Sequence, residues 1–452
     1  MIDYISIIPF FAIVSFIIFL KKNHLNSFLS GLIFVSYLFF ATNYANFGLD
    51  IDIFRYIHRL IGIVLIIFLL VHFVRFKINF LKDQVFILFA LFFATLLLSY
   101  IGNEIYFPYY YHYVRNFIFI STIVFYLYYF IDSNDKVYEI LKLIVYLTLI
   151  ITFFTLIEKL NMGFVLATRG SLNLFEAILA SSRVDLYFGN PNYLAISLIP
   201  GFTLALFSRN KILNTLSLVI LIAIYFTGSR AGLLSAIFSI LTYIYYKDFN
   251  KIYLVPVLIS IVFLSVVFFD KILINKDKSI SRLAFAAITY NIFQQNPFNG
   301  IGYGQFRKNF HKYVDIEVFK LKNHEVNESF IANNPDTPFL KLDIYNKMNK
   351  RDLVFIQQST FKEKMTHNDL LTIIAELGLI GVSFLLIFFL RLYLELKKLL
   401  LHSRSDYYLS IALIGSSLVF SFFHNNMTSF MFWFVLIIPF IINRNFQIIA
   451  AE

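Results

Sequence analysis

Four short polar interruptions in an otherwise apolar chain hold the residue types able to do chemistry. Thr227-Gly228-Ser229-Arg230-Ala231-Gly232 joins two apolar runs with almost no loop, which sets Arg230 at or just below a membrane surface. A charge there is costly unless paired or hydrated, so it is a functional candidate; an arginine snorkelling to lipid phosphate is the plain alternative. Ser279-Ile280-Ser281-Arg282 opens a helical pattern, where a guanidinium near a helix N-terminus favours an anion, although a solvated surface arginine is equally ordinary. Asn296-Pro297-Phe298-Asn299-Gly300-Ile301-Gly302-Tyr303-Gly304 alternates glycines but lacks the preceding strand and following helix of a dinucleotide site. Its glycines suit a tight turn or a close backbone approach to a partner. Thr366-His367-Asn368-Asp369 opens the apolar run that ends at Leu390. Thr366 or Asn368 can cap that helix, and His367 then stands at the membrane surface, where an imidazole takes or gives a proton near neutrality. An interfacial histidine bonded to a backbone carbonyl is the alternative.

Taken as one continuous helix at about 100° per residue, this last run puts His367 on a face with Gly378 and near Gly381, with Asp369 and Glu376 opposite. The histidine face is then smooth enough for a close neighbouring helix, and Glu376 lies deep enough that it must be neutral or paired. Two weaker spots complete the set. In Gly189-Asn190-Pro191-Asn192, Asn190 can cap a helix whose first turn holds Pro191, a mostly structural role. His424-Asn425-Asn426 ends an apolar run and offers groups that can hydrogen-bond a sugar hydroxyl, or is an uninvolved short loop.

The elements that must position these residues are membrane spans. The chain has 452 residues, 59% hydrophobic, 19% aromatic and 14% charged, with a mean hydropathy of +0.74. That is the composition of an integral membrane protein. About thirteen apolar runs are long enough to cross the hydrocarbon layer, giving an all-α polytopic protein with about 12 to 13 transmembrane helices. The first, Ile5 to Leu20, has no small-residue cleavage site and reads as a retained span.

The formal charge of +11 comes from bases at the ends of apolar runs, which marks topology and not nucleic-acid binding. Lys21, Lys22, Arg75, Lys77, Lys82, Lys136, Arg209, Lys211, Lys247, Lys251, Arg391, Lys397, Lys398, Arg404 and Arg444 fall in alternate connections, which the positive-inside bias assigns to the cytoplasm. The other face receives Gly102 to Tyr111, Lys159 to Asn190, His424 to Thr428 and one long polar loop over 270–366, within a single membrane domain covering 1–452. In that loop Ser281 to Gln295 reads as a surface-lying amphipathic helix with Leu283, Ala286, Ala287 and Phe293 on its apolar face, ended by Pro297.

With no cysteine, thiolate sites and disulfides are excluded. The histidines are too dispersed for a metal cage, and neither a Gly-x-Ser-x-Gly elbow nor a P-loop is present, so neither a metal nor a nucleotide cofactor is expected. A transporter or flippase would place polar breaks near the midplane and repeat itself between halves; here the polar groups gather at one face.

In order and spacing, Gly189-Asn190-Pro191-Asn192 with Leu194-Ala195, Thr227 to Gly232, Arg282 ahead of Asn296 to Phe306, and His367-Asn368 followed by Glu376-Leu377-Gly378-Leu379-Ile380-Gly381 resemble the O-antigen ligase and polymerase superfamily. The resemblance covers about Gly189 to Leu390 and implies a multi-span glycosyltransferase of the C-type fold in the bacterial inner membrane. Such an enzyme moves a glycan from undecaprenyl diphosphate to an acceptor, lipid A core or another lipid-linked glycan, at the periplasmic face without metal or nucleotide. Carried over by position, Arg230 and Arg282 would bind the donor diphosphate and His367 would act on the acceptor hydroxyl as the third catalytic residue. Asn368, Asn190, Tyr303 and His424 are the candidate substrate contacts among the polar segments. The resemblance leaves ligase and polymerase both open.

Overall fold

The computed structural model describes residues 67, 71, 83–169, 173–186, 190–248, 276–313, 366, 368–427 and 429–451. His367, the middle of the 270–366 loop and the first apolar runs lie outside the described residues. Every regular element among the described residues is helical. Among the described residues two helices are long and apolar enough to cross a membrane, Asn134–Thr168 and Asp369–His402, and four shorter apolar ones accompany them. The chain divides into two compact units.

The first unit gathers Met1–Phe86, Phe117–Val255 and Leu390–Glu452. Its helices, numbered in chain order with those of the second unit, are the latter part of α2 (Phe107–Phe130), α3 (Asn134–Arg169), the short α4 (Leu174–Ala180), α5 (Pro191–Leu206), α6 (Lys211–Phe226) and α7 (Arg230–Tyr246). The end of α10 (Asp369–His402), α11 (Arg404–Ser421) and α12 (Phe430–Ala451) complete it. α7 packs along α11, and α5 packs against α3, α6, α7 and α11. Small residues let these backbones close up: a Cβ on Gly232 would lie 2.8 Å from the Ala195 side chain of α5.

The two ends of this unit carry different polar contacts. At one end Tyr138 donates to Asp406 at 2.8 Å, Arg404 pairs with Asp248 at 2.8 Å, and Phe207 packs on Tyr243 and Tyr246. Lys136, Arg209, Lys211 and Lys247 lie on the same helix ends, and Arg444 donates to the carbonyls of Tyr128 and Ile131. The buried carboxylate of Glu395 takes Arg391, Lys398 and Asn443 at 2.9, 2.8 and 2.9 Å. At the opposite end lie the starts of α5 and α7 and the close of α11, where Tyr193 meets His424. The base-rich connections within this unit thus gather at one end, as their alternation in sequence requires.

The second unit comprises Ile87–Asn116 and Pro256–Phe389. It contains most of α1 (Gln84–Leu98), the turn through 99–106, α8 (Lys276–Gln295), α9 (Phe306–Asn309) with a 3-10 turn over Phe310–Tyr313, and the first part of α10. α8 is longer at its start than the sequence suggests and buries a different face. Phe285, Ile288 and Ile292 turn inward onto Ile301, Phe306, Phe310 and Ala375, while Phe293 is half-buried. The inward stripe is selected by the loop that folds over α8, a partner that a lipid-facing periodicity does not anticipate.

Candidate active site

In the first unit the site is built where α5 and α7 begin. Asn190 caps α5 by accepting from the Asn192 N–H at 2.9 Å, with Pro191 in the first turn. Ser229 caps α7 by accepting from the Gly232 N–H at 3.2 Å. The same hydroxyl donates to the Asn192 side-chain oxygen at 2.8 Å, so the Gly189 to Asn192 and Thr227 to Gly232 segments meet directly. Arg230 is the next residue, exposed in the first turn of α7 and without an ion-pair partner among the described residues.

Sequence reasoning missed a second cation here. Arg183 donates from Nε to the Thr227 carbonyl at 2.8 Å and from Nη2 to the Asn192 side-chain oxygen at 3.4 Å. Burial, and then the positive charge of Arg230, hold its guanidinium below the ordinary arginine range. Arg183 lies within the Lys159 to Asn190 connection, which carries no periodicity to single it out; a lone arginine shortly before Gly189-Asn190-Pro191-Asn192 is the only signal. His424, at the close of α11, is 4% exposed, with Nδ1 3.3 Å from the Asn425 carbonyl and its ring edge-on to Tyr193 at 5.3 Å. Asn426 ties this turn together by donating to Ser417 and accepting from Ser429 at 2.8 Å.

In the second unit the glycine-rich segment is a docked loop. Gly300, Gly302 and Gly304 have φ of 63°, 95° and 75°. The loop lies against α10, whose helix is interrupted at Gly378, with φ 58° and ψ −150°. The break opens the backbone ladder on both sides. Ile301 and Gly302 donate to the Ala375 and Glu376 carbonyls at 3.0 and 3.1 Å, and Leu379 and Ile380 donate to the Pro297 and Phe298 carbonyls at 2.8 and 3.0 Å. The expectation of one straight helix from 369 to 390 is therefore overturned, and with it the face shared by His367, Gly378 and Gly381. The surface at Gly378 is covered by the loop and not by a helix: a Cβ there would stand 2.6 Å from the Phe298 carbonyl oxygen.

Glu376, 3% exposed, is paired as its depth demands, by backbone donors: Gly304 N–H at 2.8 Å and Phe306 N–H at 3.0 Å. Tyr303 is buried, its ring edge-on to Tyr113 at 5.4 Å and its carbonyl taking the Tyr100 hydroxyl at 2.6 Å. Burial, with the Glu376 charge adding to it, pushes the Tyr303 hydroxyl well above the ordinary tyrosine range. Asn368 caps α10 by accepting from the Leu371 N–H at 3.0 Å, between the buried Thr366 and Asp369. His367 lies outside the described residues. Arg282 lies on α8, and its side chain is likewise outside them. Arg230, Asn190 and His424 belong to the first unit, and Arg282, Tyr303, His367 and Asn368 to the second.

Described residues whose regular elements are all helical, with apolar helices of spanning length among them, fit a membrane protein. Residues 215–327, about a quarter of the chain, match the family model described as O-antigen ligase. This match carries the α6–α7 junction with Arg230, all of α8 and the docked glycine loop, and it supports the O-antigen ligase superfamily, membrane enzymes of lipopolysaccharide and surface-polysaccharide assembly. No curated protein and no solved structure matches the chain.

Proposed function

We propose that this protein is a metal-independent, inverting glycosyltransferase that moves a glycan from undecaprenyl diphosphate to an acceptor hydroxyl at the periplasmic face of the inner membrane, as an O-antigen ligase acting on lipid A core. The observation that carries the reading is the Ser229 to Asn192 hydrogen bond, which ties the matched Thr227 to Gly232 segment to the Gly189 to Asn192 segment, with Arg230 in an exposed first turn. A guanidinium so placed neutralises charge on a diphosphate. The base-rich end of the first unit then faces the cytoplasm, and the end holding Arg230, Asn190 and His424 faces the periplasm, as does the 270–366 loop.

In the proposed step the acceptor oxygen forms a bond to the anomeric carbon as the bond from that carbon to the diphosphate oxygen breaks. The acceptor proton passes to neutral His367, and the electron pair leaves with undecaprenyl diphosphate. Arg230 and Arg282 neutralise the charge that develops on the leaving group. Asn368, Asn190, Tyr303 and His424 serve substrate contact, directly or by holding the backbone around it.

Purified protein supplied with lipid-linked glycan and lipid A core should form the joined product, and His367→Ala should abolish transfer while the protein stays folded; retained transfer would remove the histidine from the mechanism. A deletion strain separates the acceptors. Long chains left on the carrier lipid mark a ligase, and single repeats left there mark a polymerase, whose acceptor is another lipid-linked glycan.

A further inference from the structure

We propose that Arg183 is a donor-binding residue, forming with Arg230 a two-guanidinium clamp for the diphosphate of the polyprenyl-linked donor; the proposal rests on the donor reading above. Arg183 reaches the start of α7 from a separate loop. Its side chain lies across Gly228, where a Cβ would stand 2.9 Å from Nε and 3.0 Å from Cγ. Gly228 itself has φ +59°, so the residue two before Arg230 is shaped both for the turn and for the arginine over it.

The loop that carries Arg183 is braced on each side. Lys159 of α3 donates to the Ser181 and Ser182 carbonyls at 3.0 and 3.1 Å, and the Val184 N–H donates to the Phe226 carbonyl at 3.2 Å. The backbone of Leu186 hydrogen-bonds the Glu158 carboxylate. Nε and one Nη2 bond fix the guanidinium plane, while a guanidinium offers five N–H donors, so the rest of the fork stays available. A cation fixed in this way loses little rotamer entropy when an anion arrives.

Arg183, held across Gly228, and Arg230, exposed two residues beyond that glycine, repel unless an anion joins them. The depressed proton affinity of Arg183 reports that repulsion as well as burial. Asp185, two residues on, is near enough for its charge to act on Arg183 and partly offsets that repulsion, while Arg230 pairs with no carboxylate among the described residues. Two forks suit two phosphoryl groups, one each, whereas a monophosphate can satisfy only one of them.

The test uses the full chain in nanodiscs of zwitterionic lipid, with undecaprenyl diphosphate and undecaprenyl monophosphate as probes. Wild type should prefer the diphosphate. Arg183→Gln, whose amide can still donate to the Thr227 carbonyl, should weaken diphosphate binding by roughly tenfold to a hundredfold and leave monophosphate binding within about threefold, erasing the preference. Arg183→Lys, which keeps the charge but not the fork, should restore part of it and serves if the glutamine variant does not fold. Equal loss for both probes, or an undiminished preference, overturns the clamp, and Arg230→Gln tells the two hypotheses apart. If that variant loses the preference while Arg183→Gln keeps it, the clamp falls and the donor reading stands. If wild type has no preference, the donor reading falls with it. Phosphatidylglycerol should compete only weakly; competition equal to that of the diphosphate would assign the cations to lipid headgroups and overturn the proposal.

Discussion

Gly300→Ala should loosen the docked loop far more than Gly102→Ala, although both glycines have positive φ, +63° and +77°. At Gly102 an added Cβ meets nothing within 4 Å, so the cost is left-handed strain alone, about 1–2 kcal/mol. At Gly300 the same atom would stand 2.4 Å from the Glu376 carbonyl carbon and 2.5 Å from the Ala375 oxygen. Both are backbone, so no side chain can swing aside, and the loop must retreat by about 1 Å to reach ordinary contact. That retreat breaks the bonds from Ile301 and Gly302 to the Ala375 and Glu376 carbonyls, 3.0 and 3.1 Å long. Buried donors left without partners cost about 1–3 kcal/mol each, so the total is about 3 kcal/mol or more. Hydrogen exchange on the full-length protein reads this directly, because about 3 kcal/mol raises the local opening constant at Ile301 and Gly302 by roughly a hundredfold. Protection in Gly300→Ala within about threefold of that in Gly102→Ala would refute the docking argument.

The other predictions follow from the same contacts. Asn192→Ala removes the acceptor shared by Ser229 and Arg183, so donor affinity should fall together with melting temperature, while Asn190→Ala, which loses a helix cap, should cost about 1 kcal/mol of stability; equal melting curves for Asn192→Ala and wild type would contradict the first. Glu376→Gln keeps the shape but turns one acceptor into a donor facing the Gly304 or Phe306 N–H, so exchange at those two amides should rise above that at Ile301. Burial raises the Asp185 carboxyl above its ordinary 3.8, so the folded chain holds that proton more tightly than the unfolded one, and stability is lost as pH rises from that value. Asp185→Asn should therefore gain in melting temperature over wild type as pH is raised from below 3.8 toward neutrality, and a difference independent of pH would contradict it.

What the sequence made legible is local. The apolar runs announce helices, Asn190 with Pro191 announces the start of α5, and Asn368 caps α10 as a short polar residue before an apolar run should. The interruption at Gly378 could not be read in this way. Glycines at 378 and 381 keep the helical period intact, and only a loop about eighty residues earlier in the chain supplies the carbonyls that Leu379 and Ile380 need once the ladder opens. The inward face of α8 follows the same rule: Phe285, Ile288 and Ile292 point to the loop that covers them, which periodicity cannot name. Arg183 is harder still, because its placement comes from contacts with Asn192 and with the Thr227–Gly228 turn far along the chain, which its own stretch of sequence does not announce.

Glu376, Gly378 and the glycine loop explain one another better than any of them explains itself. A carboxylate buried at that depth needs donors, and a helix interior has none to spare; the backbone N–H groups of Gly304 and Phe306 are available because the loop reverses with positive φ at each of its three glycines. The loop in turn can come close only because Gly378 has no side chain and leaves the helical ladder there. Each of the three departures from local preference is offset by the other two. The ends of the long segment between this loop and Thr366 are thereby pinned from both sides: Phe306 and Phe310 pack on α8, and Asn368 caps α10.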